Sequence, residues 1–229
     1  MKNLYVVVEG ETEQEFVGRI LSPYFTSIGL YMNTRAILIR MKGGGHGFNN
    51  FEHLRNTMKP LLYYADEPVI TTMIDHYGIN NNTKIPNYEL CAGKTLVEDR
   101  IRCMEQALMD VVQSIKPYRY FIPNIIQHEF ETLLLANPRE GFALEKEAIR
   151  QDVVALCDEF QNIEEINNTP DGAPSRRLEA IYRSNHQRYE KIVNGVDIAE
   201  LTGIESMINK CPRFAKWLER VISSVQSNG

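Results

Sequence analysis

The segment Leu4-Tyr5-Val6-Val7-Val8 is an unbroken apolar run that stops at Glu9-Gly10. A strand with one wet face alternates polar and apolar residues. A continuous run therefore predicts a strand covered on both sides. Thr12-Glu13-Gln14-Glu15 follows at once and fits a capping box, with Thr12 as N-cap and Glu15 three positions on. Phe16, Val17, Ile20 and Leu21 then recur at helical spacing. A doubly covered strand feeding a helix through a tight turn is the opening unit of an α/β sheet.

The same alternation continues along the chain. A second strand is expected at 35–40, followed by the loop Gly43-Gly44-Gly45-His46-Gly47 and a helix over 50–64. A third strand, 69–74, ends at Asp75, and the polar stretch 80–87 reads as a loop. Thr95-Leu96-Val97-Glu98 forms a second capping box ahead of the clearest helical stripe, Val97, Ile101, Met104, Leu108, Val111, Val112 and Ile115. A fourth strand over 120–127 contains Pro123, which places it at a sheet edge or a bulge. A short helix over 131–136 stops before Asn137-Pro138. Beyond about Glu145 the pattern is helical only, with segments at 148–163, 175–184, 198–201, 204–209 and 214–225. The best linker is Asn167-Asn168-Thr169-Pro170-Asp171-Gly172. The expectation is an α/β core over 1–144, with a mostly parallel sheet of about four strands flanked by helices, and a helical region over 145–229 packed on it.

Composition narrows the function classes. The 229 residues are 43% hydrophobic and 24% charged, as in ordinary globular proteins, with a formal net charge of −5. An acidic chain does not advertise nucleic-acid binding over its whole surface, so any such binding needs a local basic patch or a partner. No stretch approaches the roughly 18 apolar residues of a membrane span, and the N-terminus lacks signal-peptide features. A cytoplasmic protein with no membrane partner is expected. The four cysteines, Cys91, Cys103, Cys157 and Cys211, show no C-x-x-C pair, which argues against a disulfide framework or a structural zinc site.

In open α/β sheets ligands bind beyond the carboxyl ends of the strands. Here those ends carry acids: Glu9 after the first strand, Asp75 after the third, and Glu129 with Glu131 after the fourth. Carboxylates gathered at one rim need protons or cations between them. Oxygen donors of this kind suit Mg²⁺ or Mn²⁺, and such a metal assists phosphodiester hydrolysis. Glu129 and Glu131 compete for one role, and Glu129 lies nearer the strand end. Each acid also has a plainer explanation. Glu13 suits the dipole of a first helical turn, and Asp75 suits the turn to Gly78.

Other groups fall near the same rim. Lys42, Gly44 and His46 lie in a glycine-rich loop whose backbone could approach phosphate, or which merely needs positive φ. Ala92-Gly93-Lys94-Thr95 mimics the end of a phosphate-binding loop but lacks the earlier glycine, since Tyr88 stands there. His46, His76 and His128 could face phosphate or a metal. Arg176, Arg177, Arg183, Arg188 and Lys191 form a basic cluster, either a phosphate-tracking face or a solvated one. Lys191 is the candidate for stabilising transition-state charge. Trp217 is read as a core plug rather than a base-stacking group.

The ordered motifs resemble a known family. Val8-Glu9-Gly10-Glu11-Thr12-Glu13 resembles the V-E-G-x-T-E opening of Toprim domains of the overcoming-lysogenization-defect (OLD) type. Ile74-Asp75-His76-Tyr77-Gly78 resembles their second acidic motif. Gln127-His128-Glu129-Phe130-Glu131, Cys211-Pro212-Arg213-Phe214 and Trp217-Leu218 complete a set similar to the bacterial domain-of-unknown-function 4276 family, which is Toprim-like. The resemblance implies a Rossmann-like Toprim core and Mg²⁺-dependent nucleic-acid cleavage, with a setting beside an ATPase in phage or plasmid defence. Tyr77 departs from the D-x-D pattern of many Toprim domains, so one ligand is missing or comes from Glu129 or Glu131.

Three readings follow from the sequence. In the first, the protein is a metal-dependent nuclease acting on DNA rather than RNA. Glu9, Glu13, Asp75, Glu129 and Glu131 hold metal, and Lys42, Gly44, His46, His76, His128 and Arg176 contact substrate. In the second, it is a catalytically weak subunit of an ATPase-based complex. In the third, it is a small-molecule phosphohydrolase. Self-association is open in all three.

Overall fold

The computed structural model describes residues 2–41, 43–167 and 172–227. The first strand, β1 (Lys2–Val8), is buried from Leu4 to Val8, as its unbroken apolar run requires. The helical run behind it comprises α1 (Glu11–Phe16), a π-helical turn (Val17–Leu21) and α2 (Ser22–Ser27). Helix α1 starts two residues earlier than the sequence indicated. Gly10 is the N-cap and its N–H donates to Glu13 Oε2 at 3.0 Å, so Glu13 rather than Glu15 closes the turn.

Strand β2 (Met32–Leu38) and helix α3 (Phe51–Leu61) precede β3 (Val69–Asp75). Helix α4 (Tyr88–Ala92) then leads to α5 (Val97–Ile115). The second capping box does not form, because Leu96 is the N-cap of α5 and contributes no side-chain bond. Cys91 of α4 and Cys103 of α5 form a disulfide, a bridge the sequence reading did not anticipate. The two cysteines meet only because the chain doubles back between the helices.

The fourth strand is split by Pro123-Asn124 into β4 (Phe121–Ile122) and β5 (Ile125–Ile126), both paired with β3. Proline lacks a ladder donor, and Thr72 mends the gap. Its Oγ1 donates to Asn124 O at 2.7 Å and accepts from Asn124 N at 2.9 Å. On the open side Glu105 Oε1 accepts from Ile125 N at 3.0 Å and from Arg213 at 2.8 Å, which satisfies a buried edge donor.

The sheet order is β2-β1-β3-β4, with β5 beside β3, and every strand pairing is parallel. The chain moves from β1 to β2 on one side, then crosses to β3 on the other. Strand order thus reverses between β1 and β3, where open sheets leave a crevice beyond the carboxyl ends. Val8 lies opposite Met73 in this pairing, so Glu9 and Asp75 emerge at neighbouring points of the rim.

The remainder is helical: α6 (Glu131–Leu134), α7 (Pro138–Gly141), α8 (Glu147–Asp158), α9 (Pro174–Ser184), α10 (Lys191–Thr202), α11 (Ile204–Lys210) and α12 (Pro212–Ser227). One continuous apolar core runs from Leu4 to Val225 and joins these helices to the sheet. Trp217, buried as expected, donates from Nε1 to Thr71 Oγ1 on β3 at 2.8 Å. Most of the linker, residues 168–171, lies outside the described residues. No helix among the described residues is long and apolar enough to cross a membrane.

Candidate active site

Four elements meet at the crevice. The Lys191 ammonium lies 3.5 Å from Glu13 Oε1, 3.6 Å from Asp75 Oδ2 and 3.3 Å from Glu131 Oε2. Lysine is a poor choice for the first residue of a helix, where the dipole disfavours a cation. Here the three carboxylates outweigh that cost. Gly195 makes room for Tyr189, whose Oη a Cβ there would meet at 3.3 Å, and it sits in van der Waals reach of Thr12 in α1.

Backbone donors fix two of the acids. Glu9 Oε1 accepts from Asp75 N at 2.7 Å, and Asp75 Oδ1 accepts from Phe130 N at 3.0 Å. The ends of β1, β3 and β5 are thereby tied into one unit. Glu131 is fully buried, and neither of its carboxylate oxygens has a hydrogen-bond partner among the described residues. The Lys191 contact to Glu131 is therefore an ion pair without good hydrogen-bond geometry.

The matching family model, described as "Domain of unknown function (DUF4276)", spans residues 8–222. The chain belongs to this family. No curated protein matches this DUF4276 chain. Among solved structures it is similar to the "C-terminal region of the Xanthomonas campestris pv. campestris OLD protein phased with mercury". That likeness has 11% identity and a TM-score of 0.43, over 98% of this chain and 94% of the other.

The remaining sequence candidates of the DUF4276 chain separate into groups. Glu129 points to α9, where Oε2 accepts from Ser175 N at 2.9 Å and Oε1 from Ser175 Oγ at 3.0 Å. Arg176 follows on the exposed side of α9. His76 and His128 line a neighbouring cavity. Gly44 and His46 are exposed in their loop, and His46 bridges to Arg40. No hydrogen bond or ion pair among the described residues links that loop to the acids. Lys42 lies outside the described residues. Sequence reasoning missed Ser175 and Tyr189, neither of which carries a motif. Tyr189 is buried beside Glu131, and burial first, then that charge, raises its hydroxyl pKa well above the usual range.

Electrostatics follow from crowding in a dry site. Burial pushes the Glu9 carboxyl up to about 7; the charge on Glu13 adds to this, and the Asp75 N–H and Lys191 oppose it. Burial likewise raises Asp75 and Glu131 against the pull of Lys191. Burial disfavours the Lys191 cation, but the summed attraction of Asp75, Glu131, Glu13 and Glu129 prevails and raises its pKa. Burial lowers His76 and His128 to about 4, so both are neutral near pH 7.

The donor set is consistent with a hard divalent cation, because it is made of carboxylate oxygens and one carboxylate is buried without hydrogen bonds. Three acids contact a single ammonium, which leaves negative charge for a further cation or a proton to balance. As arranged around Lys191, no three His, Cys, Asp or Glu side chains among the described residues are already grouped to hold one ion.

These shifts give a stability prediction. A carboxyl whose folded pKa lies above its unfolded value contributes stability below the unfolded pKa and loses it as pH rises through the folded one. For Glu9 the window runs from 4.5 to about 7. Glu9→Gln keeps an acceptor for Asp75 N and removes the charge. In metal-free protein it is expected to be more stable than wild type at pH 8, on the order of 3 kcal/mol. The advantage should shrink as pH falls through that window and be gone below its lower end. Denaturant midpoints of both proteins across pH test this, and a constant difference at all pH values refutes it.

Proposed function

We propose that this protein is a Toprim-like nuclease that uses Mg²⁺ or Mn²⁺ to hydrolyse phosphodiester bonds of nucleic acid, DNA in preference to RNA, in phage or plasmid defence. One observation carries the reading: acids from the ends of β1 and β3, the first turn of α1 and the start of α6 converge where Lys191 enters from α10. Glu9, Glu13, Asp75 and Glu131 would hold the metal, while Glu129 is held by Ser175. Such an ion, when bound, polarises a phosphoryl oxygen and makes water acidic enough to attack.

The chain's own residues supply the rest. Lys191, oriented by three carboxylates, offers a fixed positive charge to the oxygens of the phosphate being cleaved. The backbone bonds from Asp75 and Phe130 hold the acids in place without using side-chain donors.

A second reading also has support. Lys191 already provides the acids with a counter-cation, and Tyr77 stands where many related motifs have a second Asp. Both features suit a catalytically weak subunit that a partner ATPase switches on. The test is to incubate the purified protein with supercoiled plasmid, linear DNA, RNA and free nucleotides in Mg²⁺, Mn²⁺ or EDTA. Metal-dependent DNA cleavage is the expected result. Cleavage only after a neighbouring ATPase is added favours the second reading. Release of phosphate from nucleotides with intact polymers identifies a small-molecule phosphohydrolase instead.

A further inference from the structure

Beside the acids, on the far side of the β3 and β5 ends, lies a cavity of about 510 Å³, within the range of small-ligand sites. It is lined by His76, Tyr77, Tyr88, Arg100, His128 and Asn167 among others. Among the described residues Arg100 carries the only full charge in the lining, and none of them there is a carboxylate. The described lining is thus electropositive although it adjoins an acidic centre. Tyr77 is 39% exposed at its rim, and Tyr88, at the start of α4, is half-buried.

His128 is the telling residue. It is only 4% exposed, and its Nε2 has no hydrogen-bond partner among the described residues. A buried polar atom left unpaired is costly and uncommon. Its backbone is left-handed, at φ 69°, a conformation that non-glycine residues seldom adopt. The strain is held by Tyr77 N, which donates to His128 O at 2.9 Å. Nε2 is closed to solvent and the imidazole interacts with the Glu164 backbone, so His128 forms a strained wall of the cavity rather than a donor pointing into it. Such strain marks functional positions.

We infer that this cavity binds one nucleotide, its base stacked on the tyrosines and its phosphate paired with Arg100. The chemistry of the lining matches that ligand part by part. Aromatic faces take any base, and a guanidinium grips phosphate. His76 and His128 directly adjoin Asp75 and Glu129 in sequence, so a nucleotide seated here sets its neighbouring phosphate beside the acids. The inference rests on the nuclease reading for the identity of the strand, but binding in the cavity can be measured without cleavage.

The experiment is calorimetry in EDTA with deoxyadenosine 5′-monophosphate and with a DNA tetranucleotide, intact or with one base removed. Wild type is expected to bind the mononucleotide saturably. Tyr88→Ala and Arg100→Ala, at residues that are only partly buried, are each expected to bind about tenfold more weakly or worse. Arg139→Ala, in a separate cavity between α7 and α8, serves as the unaffected control. Tighter binding of the intact tetranucleotide than of the abasic one identifies a polymer strand as the source. Equal binding of all three phosphate-bearing probes overturns base recognition. Absence of saturation, or wild-type binding by Tyr88→Ala and Arg100→Ala, overturns the site. If nucleotide binding follows the expected pattern while wild type cuts nothing, the cavity stands and the nuclease reading falls. If DNA is cut and both variants bind and cut as wild type does, the cavity falls and the nuclease reading stands.

Discussion

Replacing Asp75 with asparagine is expected to reduce metal-dependent DNA cleavage by roughly 10³-fold while raising the stability of the metal-free protein. Asp75 Oδ1 accepts from Phe130 N and Oδ2 faces Lys191, so asparagine can keep the backbone bond and the shape. What it loses is one charge in a buried group of acids whose mutual repulsion already raises Asp75. The opposite signs of the two effects are the signature of a site built for a cation rather than for packing. The checks are initial cleavage rates in saturating Mn²⁺ and denaturation midpoints in EDTA at pH 8. Parallel losses of activity and stability would reduce Asp75 to a structural residue.

Lys191→Met is expected to lower cleavage by about 10²-fold or more while binding Mn²⁺ at least as tightly as wild type. Lys191 neutralises Glu13, Asp75 and Glu131, and a divalent ion entering the same group competes with that ammonium. Removing the lysine removes the competitor but also the charge offered to phosphate. Lys191→Arg is not expected to restore activity, because the planar guanidinium does not fit three separate carboxylates as a compact ammonium does. Titration calorimetry with Mn²⁺ and single-turnover cleavage separate the two consequences. Weaker metal binding in Lys191→Met would show that the ammonium organises the acids instead of competing for them.

Much of this site could be located from local patterns. The apolar run of β1 and the run ending at Asp75 fixed two strand ends, and parallel pairing puts such ends on one rim. Glu131 was harder to place. Strand periodicity favours Glu129, which is nearer the end of β5, but the left-handed turn at His128 sends Glu129 to Ser175 and leaves Glu131 facing Lys191. A single φ value decides between two acids that look equivalent in the sequence. Helix α10 was recognised only from residue 198, because Gly195 and the polar Asn194 and Asp197 blur its stripe. Lys191 therefore read as one cation in a basic cluster rather than as the first residue of a helix.

The amino-acid sequence by itself determined the alternating strands and helices, the parallel sheet they require, and the acids at the strand ends. These follow from periodicity and from the rule that apolar runs must be covered, both local properties of a chain in water. Only the tertiary structure decided that α10 brings Lys191 onto Asp75, Glu131 and Glu13, that Cys91 meets Cys103, and that His128 lines a cavity with Tyr88 and Arg100. Each of these depends on contacts between residues far apart in the chain or across a turn. Such contacts are set by how whole elements pack, which no short stretch of sequence encodes.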